Sequence, residues 1–593
     1  MLLIMKRTHV WETVEINLEA QNVYQNAYME VDVWAQLEGP GFSKKVYGFW
    51  NGGNCFTIRM TAVCPGKWSY STFCNTADKG LEGVTGEYEA VDWTAREKKD
   101  NPCRRGIITA TANGRALAYA DGTQVYLLGD TLWAAFTDRF PWYDSGGENP
   151  EGSQPGFKDV IRHRVRQGFN LIAALSALPN WKDDGLPAAF TSPEGYVLRD
   201  GWKNPQKTPY DGVKEMKNEG GFPFLFPGKV PGWEEYFPDM ERPNAGYFQY
   251  MDRKMNWLNE QGVTVFIETI RRDLSSSFKR FYRWPESYIR YIQFLFARYQ
   301  THNCIFSPIH YDWHNVSIPV SDYNDGANQY IERYGHPPFG TLVSCNPSPS
   351  SYQNFGHTNE AKWLTLHQTG NFVREHDGCW YQTEIFGLEP PVPSLAGEPY
   401  YPGSRFGCGR DEIVVTGFSE EADIRNRSQL YGNLLSGALA GFIYGAEGMW
   451  NANNEPEAVF KIRDALEYPS GYQVRHVLAF IGIMGDGYKN LIPQTEYVSP
   501  SKYGDDRGHK GWAYCACTKD KTEFLLYFEV DCPPCELRGQ KAGVQYEVTL
   551  FDPRKGEWIQ QEEPLVITVG ELNKCPLPRR PCRLDYGMYL KKI

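Results

Sequence analysis

Hydrophobic and polar positions alternate along this chain in three successive patterns. From about residue 10 to 95 the runs VEINLEA, AYMEVDVWAQLEG, KKVYGFWNGG, CFTIRMTAV and GKWSYSTFC are short and rich in Val, Tyr, Phe, Trp and Thr. Gly, Asn or Pro separates most of them, and no helical period appears, which predicts an antiparallel β-sandwich. From about 105 to 485 short apolar runs alternate with longer stretches of helical period. VYLLGD (125–130), FNLIAAL (169–175), VTVFIE (263–268), CIFSPI (304–309), TLVSC (341–345), WLTLHQ (363–368), VPSLAGE (392–398) and GALAGFIYG (437–445) are eight candidate strands. Five of the gaps between them carry a clear helical stretch. Alternating β and α with a count of eight predicts an α/β fold, a (β/α)8 TIM barrel, with a doubly wound open sheet as the alternative. After about 490 the strand pattern returns in KGWAYCACT, TEFLLYFEV, GVQYEVTLFDPRKGEWI, LVITVG and YGMYLKK. The expected division is a β-sandwich over 1–95, a barrel over 96–488 and a small β-sandwich over 489–593.

One interval breaks this rhythm. Residues 176–245 separate a predicted strand from its helix and hold Trp181, Phe190, Tyr196, Trp202, Tyr210 and Trp233 among other aromatics. Loops of this length inside a domain are usually functional. In a barrel this one would leave the C-terminal face, so a sugar-binding wall or lid is expected, with a self-packed cap as the plain alternative.

Composition narrows the function. Aromatic residues reach 15%, with 18 Trp, 37 Tyr and 32 Phe. Such rings build cores, and they also offer flat apolar faces to sugars. The net charge of −11 comes from mixed signs with no basic run, which argues against a nucleic-acid partner. No stretch approaches the ~18 apolar residues of a membrane span, and MLLIMKRTHVWETVE lacks the apolar core of a secretory signal. A cytoplasmic location is expected. The 14 cysteines include Cys532-Pro-Pro-Cys535 and the Cys515/Cys517 pair, neither at zinc-ribbon spacing, so reduced thiols are expected. No cofactor or metal is called for, and oligomeric state is not legible.

Acidic residues at the C-terminal ends of the predicted strands carry the chemistry. They are Asp130, Glu268, Asp312, Glu398 and Glu447; Glu384 is assigned to a loop. Asp312 follows the fourth strand inside His310-Tyr311-Asp312-Trp313-His314, where aromatic neighbours would desolvate it and suit it to proton donation. Read alone, it could equally be a loop Asp capping a turn. Glu398 follows Gly397, which lets the backbone pass close to a ligand, and precedes Tyr400 and Tyr401, which could hold a carboxylate ionised.

VYLLGDTLW, YFQYMDRKMNWLNEQGV, SSYQNFGHTNEAKWLTLHQTG, LAGEPYYPG and SGALAGFIYGAEGMW together resemble the apiosidase-like glycoside hydrolases, in family order and over nearly the whole chain. The resemblance implies a barrel flanked by two β domains. It also implies a proton-donating Asp after strand four and a nucleophilic Glu in a Glu-Pro-x-Tyr motif after strand seven, here Asp312 and Glu398. The family usually shows Gly-Gly-Asp after strand four, whereas this chain has Ile309-His310-Tyr311-Asp312. Asp130 and Trp133 match a strand-one motif. Trp181, His310, Trp313, Gln368, Tyr400 and Trp450 complete the expected substrate-binding set.

The expected reaction is retaining glycoside hydrolysis by double displacement, which needs carboxyl groups about 5–5.5 Å apart. An exo-acting enzyme on small plant cell-wall oligosaccharides, removing apiose or another furanose or pentose, is what the resemblance implies. The alternatives are a non-catalytic carbohydrate-binding protein, and a metal-dependent barrel hydrolase using His310 and His314.

Overall fold

The computed structural model describes residues 6–143, 154–177, 217–225, 239–271, 282–312, 319–370, 376–398, 400–403, 405–406, 413–414, 416–456, 458–503, 509–580 and 583–593, with 190–191, 197–198 and 278. Trp181, Trp313, His314 and most of the aromatic interval 176–245 lie outside the described residues.

Seven parallel strands form one curled sheet in the order Cys304–Ser307, Thr264–Glu268, Leu171–Leu175, Leu127–Thr131, Gly441–Tyr444, Ser394–Gly397, His367–Thr369. Every residue of Leu171–Leu175 and Thr264–Glu268 is buried, as a sheet covered on both faces requires. Helices Phe157–Arg166, Ala245–Glu260, Glu286–Tyr299, Val320–Tyr334, Asp377–Phe386 and Glu420–Leu435 fill the crossovers. Their starts are encoded locally. Asn244 Oδ1 accepts from Gly246 N at 3.0 Å, and Ser419 Oγ accepts from Ala422 N at 3.2 Å ahead of the acidic first turn Glu420, Glu421, Asp423. Glu384, expected on a loop, sits in the helix Asp377–Phe386 and accepts from Gln353 Nε2 at 2.8 Å.

The expected strand 341–345 is reduced to isolated parallel bridges, Phe306 to Val343 and His310 to Asn346. Ser344 N donates to Phe306 O at 2.8 Å on one side, and Leu366 N to Val343 O at 3.1 Å on the other. The Val343 N–H goes to the Thr365 hydroxyl at 2.8 Å rather than to a backbone carbonyl. A ladder cannot continue through that substitution, and Pro347 and Pro349 just beyond have no N–H to offer.

Two groups of mainly antiparallel strands flank this sheet, with Lys6–His9 paired parallel to Thr85–Val91. On the N-terminal side a five-stranded and a three-stranded sheet enclose one apolar core of Val33, Ala35, Leu37, Phe56, Ile58 and Trp68. On the C-terminal side a seven-stranded and a three-stranded sheet enclose another, with Phe524, Leu526, Val548 and Leu590. The central core reaches into both sides, taking in Tyr28 and Phe49 from one and Trp512, Tyr527 and Phe551 from the other.

Buried ion pairs reinforce both contacts. Arg427, on the helix Glu420–Leu435, meets Asp585 at 2.6 Å. On the other side Asp252 receives two guanidiniums, Arg59 Nη2 at 2.7 Å and Arg298 Nη2 at 2.6 Å. Burial raises the Asp252 pKa, but Arg298 and Arg59 outweigh it and bring the value down to about 2. A depressed carboxylate pKa stabilises the fold above its unfolded value of ~3.9, and that contribution is lost as pH falls toward the folded value. Asp252→Ala leaves two facing buried cations and is expected to cost about 3–5 kcal/mol in urea denaturation at neutral pH. It should also flatten the dependence of stability on pH below ~4. A loss under about 1 kcal/mol would show that the triad contributes little.

Candidate functional site

The C-terminal ends of the parallel strands converge on one cluster of carboxylates. Glu398 leaves the strand Ser394–Gly397 with φ of 46°, in the left-handed region that costs a non-glycine residue about 1–3 kcal/mol. Strain of this kind persists only where the surroundings hold the residue, and here three donors do. Trp133 Nε1 donates to Oε1 at 3.3 Å, the Tyr401 hydroxyl donates to the same oxygen, and Asn346 Nδ2 donates to Oε2. Burial raises the Glu398 pKa; the hydrogen bonds from Tyr401, Asn346 and Trp133 and the charge of Arg271 oppose this, and the net direction is upward.

Glycines shape the neighbourhood. A Cβ on Gly445 would fall 2.2 Å from the Tyr401 ring, so the bare backbone after the strand Gly441–Tyr444 is what lets Tyr401 reach Glu398. A Cβ on Gly397 would fall 2.1 Å from Gln368 Nε2, which places the Gln368 amide against the backbone just before Glu398.

The second carboxylate, Asp312, lies beyond the strand Cys304–Ser307 and is 8% exposed. Its Oδ2 is 3.2 Å from His310 Nε2 and 3.6 Å from Arg271 Nη2. The other ring nitrogen of His310, Nδ1, is paired with Oε2 of Glu268, the last residue of its strand. Asn346 Nδ2 also approaches His310 Nδ1 at 3.5 Å, and the Trp133 ring meets the imidazole edge-on at 4.7 Å. Glu398, Asn346, His310, Glu268, Arg271 and Asp312 are therefore one contiguous network. Glu268 is fully buried, and its Oε1 has no hydrogen-bond partner among the described residues. Burial first, and then the charge of Glu398, push its pKa well above the carboxylate range, against the pull of Arg271.

The remaining expected residues take different places. Asp130 was expected to line the pocket, but it is fully buried and its Oδ2 meets Arg164 Nε at 2.7 Å, inside the layer between sheet and helix. Successive strand residues point to opposite faces, and the position next to a helix bearing a buried arginine faces outward. Burial raises the Asp130 pKa more than Arg164 lowers it. Tyr400, expected beside the substrate, packs on Ala422 of the helix Glu420–Leu435; the next residue, Tyr401, makes the contact with Glu398. Trp450 Nε1 donates to Glu447 at 3.1 Å, and its carbonyl accepts from Ala134 N at 3.2 Å, beside the loop that carries Trp133. Asn346 and Arg271 escaped the sequence reading because the search along strand ends was confined to acids. Both follow apolar runs at those same ends, which was the available signal.

Among the described residues one group could offer three metal donors, buried His376, His509 and Glu529, at the contact between the central sheet's helices and the C-terminal strands. Its atoms are already engaged. Glu529 accepts from Ser428 at 2.6 Å, from His376 Nε2 at 2.8 Å and from Trp512 N at 3.0 Å, which describes a hydrogen-bonded hub. No helix among the described residues is long and apolar enough to cross a membrane.

Known proteins place this arrangement in context. No curated protein matches the chain. A candidate glycoside hydrolase from Bacteroides vulgatus ATCC 8482 superimposes with a TM-score of 0.65 at 15% identity, covering 99% of this chain and 100% of that one. A family 5 glycoside hydrolase from the same organism gives 0.57 at 13% identity, covering 83% and 94%. At these identities the likeness is one of fold. A domain of unknown function, DUF5060, matches residues 7–75. The Apiosidase-like catalytic domain matches residues 111–484, more than half of the chain and the whole of the carboxylate cluster, so the chain belongs to the Apiosidase-like family of glycoside hydrolase-like proteins.

Proposed function

We propose that the protein is a retaining glycoside hydrolase in which Glu398 is the nucleophile and Asp312 the acid/base. The observation that carries this reading is the treatment of Glu398: a carboxylate brought to a strand exit in strained backbone, then given three hydrogen-bond donors. Desolvating a carboxylate costs several kcal/mol. Hydrogen bonds to a charged group return about 1.5–3 kcal/mol each, so three donors offset a cost of that size. The donors favour the ionised form in a place with little water around it, which is what a nucleophile requires. We also propose that the curled sheet closes as an eight-membered barrel through residues 341–346. The pairing of the first strand with the last, and the bridges from Phe306 and His310 to that segment, support closure.

In the first step Glu398 attacks the anomeric carbon while protonated Asp312 donates to the departing glycosidic oxygen. In the second, Asp312 takes a proton from water, whose oxygen displaces Glu398 at the same carbon, and configuration is retained. His310 turns its Nε2 toward Asp312 because Glu268 holds Nδ1 from behind. It therefore positions the acid/base rather than touching substrate. For the substrate, we propose a small plant cell-wall oligosaccharide attacked from its end, with apiose or another furanose or pentose as the sugar released. Family membership supports this choice.

Glu398→Ala should lower kcat by about 10⁴-fold or more on an aryl apioside or arabinofuranoside, and azide should then yield a glycosyl azide of inverted configuration. Near-normal turnover by that variant would remove Glu398 from the mechanism. Asp312→Ala should lose about 10²–10⁴-fold on alkyl leaving groups and far less on dinitrophenyl ones, which need no proton. Equal losses on both classes would argue against the acid/base role.

The pH profile tests the same assignment. Because the Glu398 pKa is raised, the acid limb of kcat/KM should fall at a pH above that of an ordinary carboxylate (~4.3). Tyr401→Phe removes a donor that favours the ionised form, so the acid limb should move to still higher pH. A limb that stays put, or moves down, would separate Tyr401 from the titrating group.

A further inference from the structure

The sequence motif Cys532-Pro533-Pro534-Cys535 takes no part in the reaction above. It forms the loop that enters the strand Glu536–Arg538 of the C-terminal three-stranded sheet. The two sulfurs lie 3.7 Å apart, and each cysteine is less than 10% exposed, while Pro534 between them is open to solvent. The Cys535 sulfur also lies 3.2 Å from Pro533 O and 3.3 Å from Pro500 O, so the loop is folded tightly upon itself. Arg580 clamps it from outside: Nη2 donates to Cys532 O and, at 3.1 Å, to Pro533 O, and the guanidinium lies 4.9 Å over the Phe528 ring.

We propose that Cys532 and Cys535 form a redox-active dithiol, with Cys532 the attacking thiol, that exchanges with small disulfides of the glutathione type.

Three features support this. A disulfide needs its sulfurs at ~2.05 Å, and the fold already brings these two to 3.7 Å. Two consecutive prolines restrict the loop, which keeps the thiols together in preference to an open form. A guanidinium beside the pair favours a thiolate and opposes a metal cation, and among the described residues no third metal donor joins these two sulfurs. The thiols are also unequal. The hydrogen bond from Cys535, then Arg580, holds the Cys532 pKa below its ordinary value, while that same bond and burial push Cys535 up.

The exchange balances without another reactant. The Cys532 thiolate attacks one sulfur of oxidised glutathione, forming a mixed disulfide and releasing a glutathione thiolate. Cys535 then loses its proton and attacks the Cys532 sulfur, releasing the second glutathione. Two electrons pass from the protein thiols to the small disulfide, and two protons leave with the products.

This inference stands independently of the glycosidase reading and is tested on the full native chain. The protein is equilibrated in buffers of defined oxidised-to-reduced glutathione ratio, alkylated, and mapped by mass spectrometry. A reversible Cys532–Cys535 cross-link that dithiothreitol removes is expected. In Cys535→Ser a glutathione adduct should accumulate on Cys532, about tenfold or more faster than on Cys535 in Cys532→Ser. The proposal is overturned if both thiols of the native wild-type protein stay alkylatable across the redox range, while the urea-unfolded chain oxidises. It is equally overturned if the purified protein holds one equivalent of zinc that leaves when these thiols are blocked.

Discussion

The C-terminal ends of the parallel strands are organised around one buried carboxylate, Glu398, held where little water can reach it. The carboxylate is 5% exposed, and burial raises its pKa. Trp133, Tyr401 and Asn346 oppose that, and each reaches Glu398 from a different part of the sheet: beyond Leu127–Thr131, beyond Ser394–Gly397 and from the 341–346 segment. Tyr401 is local to Glu398, but Trp133 and Asn346 are in place only when segments distant in sequence have assembled. This makes the cluster a property of the assembled sheet rather than of any one motif. Gly445 belongs to the same constraint, since any side chain there would displace the Tyr401 ring.

Some of this was legible in the sequence. The apolar runs mark the strands well because strands buried on both faces leave a continuous hydrophobic signature, as in Leu171–Leu175. Glu398 and Asp312 stood out as candidates because they are acids at C-terminal strand ends, and the structure brings both into one network. Other features could not be read this way. TLVSC looks as apolar as the other strands, yet it and Asn346 after it form only bridges to Phe306 and His310, and on its other side the Thr365 hydroxyl takes the Val343 N–H. That is a contact between residues 22 apart and leaves no local trace. Asp130 looked like a site residue for the opposite reason. Its position at a strand end says nothing of which face it points to, and only the buried Arg164 reveals that it faces the helices. Tyr400 and Tyr401 show the same ambiguity one residue apart: neighbouring side chains diverge, and the sequence offers both.

The flanking strands are part of this support. Asp252 and its two arginines tie the N-terminal strand Cys55–Met60 to the helices Ala245–Glu260 and Glu286–Tyr299. Those helices precede and follow the strand that ends in Glu268. A carboxylate neutralised by two guanidiniums in a dry interface tolerates little displacement of any partner. The outer layer is thus tied to both helices that flank the strand carrying Glu268.

The surroundings of Glu268 bear on the acid/base role proposed for Asp312. His310 presents a carboxylate to each ring nitrogen, Glu268 at Nδ1 and Asp312 at Nε2. A neutral imidazole has one N–H, so satisfying both contacts requires either an imidazolium between two carboxylates or a neutral ring with one carboxyl protonated. Each of these states holds two protons and carries the same net charge. A proton can therefore shift among Glu268, His310 and Asp312 without changing the net charge of the three. Burial pushes Glu268 toward its neutral form, and its unpartnered Oε1 suits a neutral carboxyl better than a charged one. On the proposed mechanism this gives the site somewhere to keep a proton while Asp312 is ionised. The charge of Glu398 is part of what raises Glu268, so forming the glycosyl ester at Glu398 would remove that push and redistribute the proton within the same triad. The two catalytic carboxylates would then be coupled through a residue that neither touches substrate nor meets solvent.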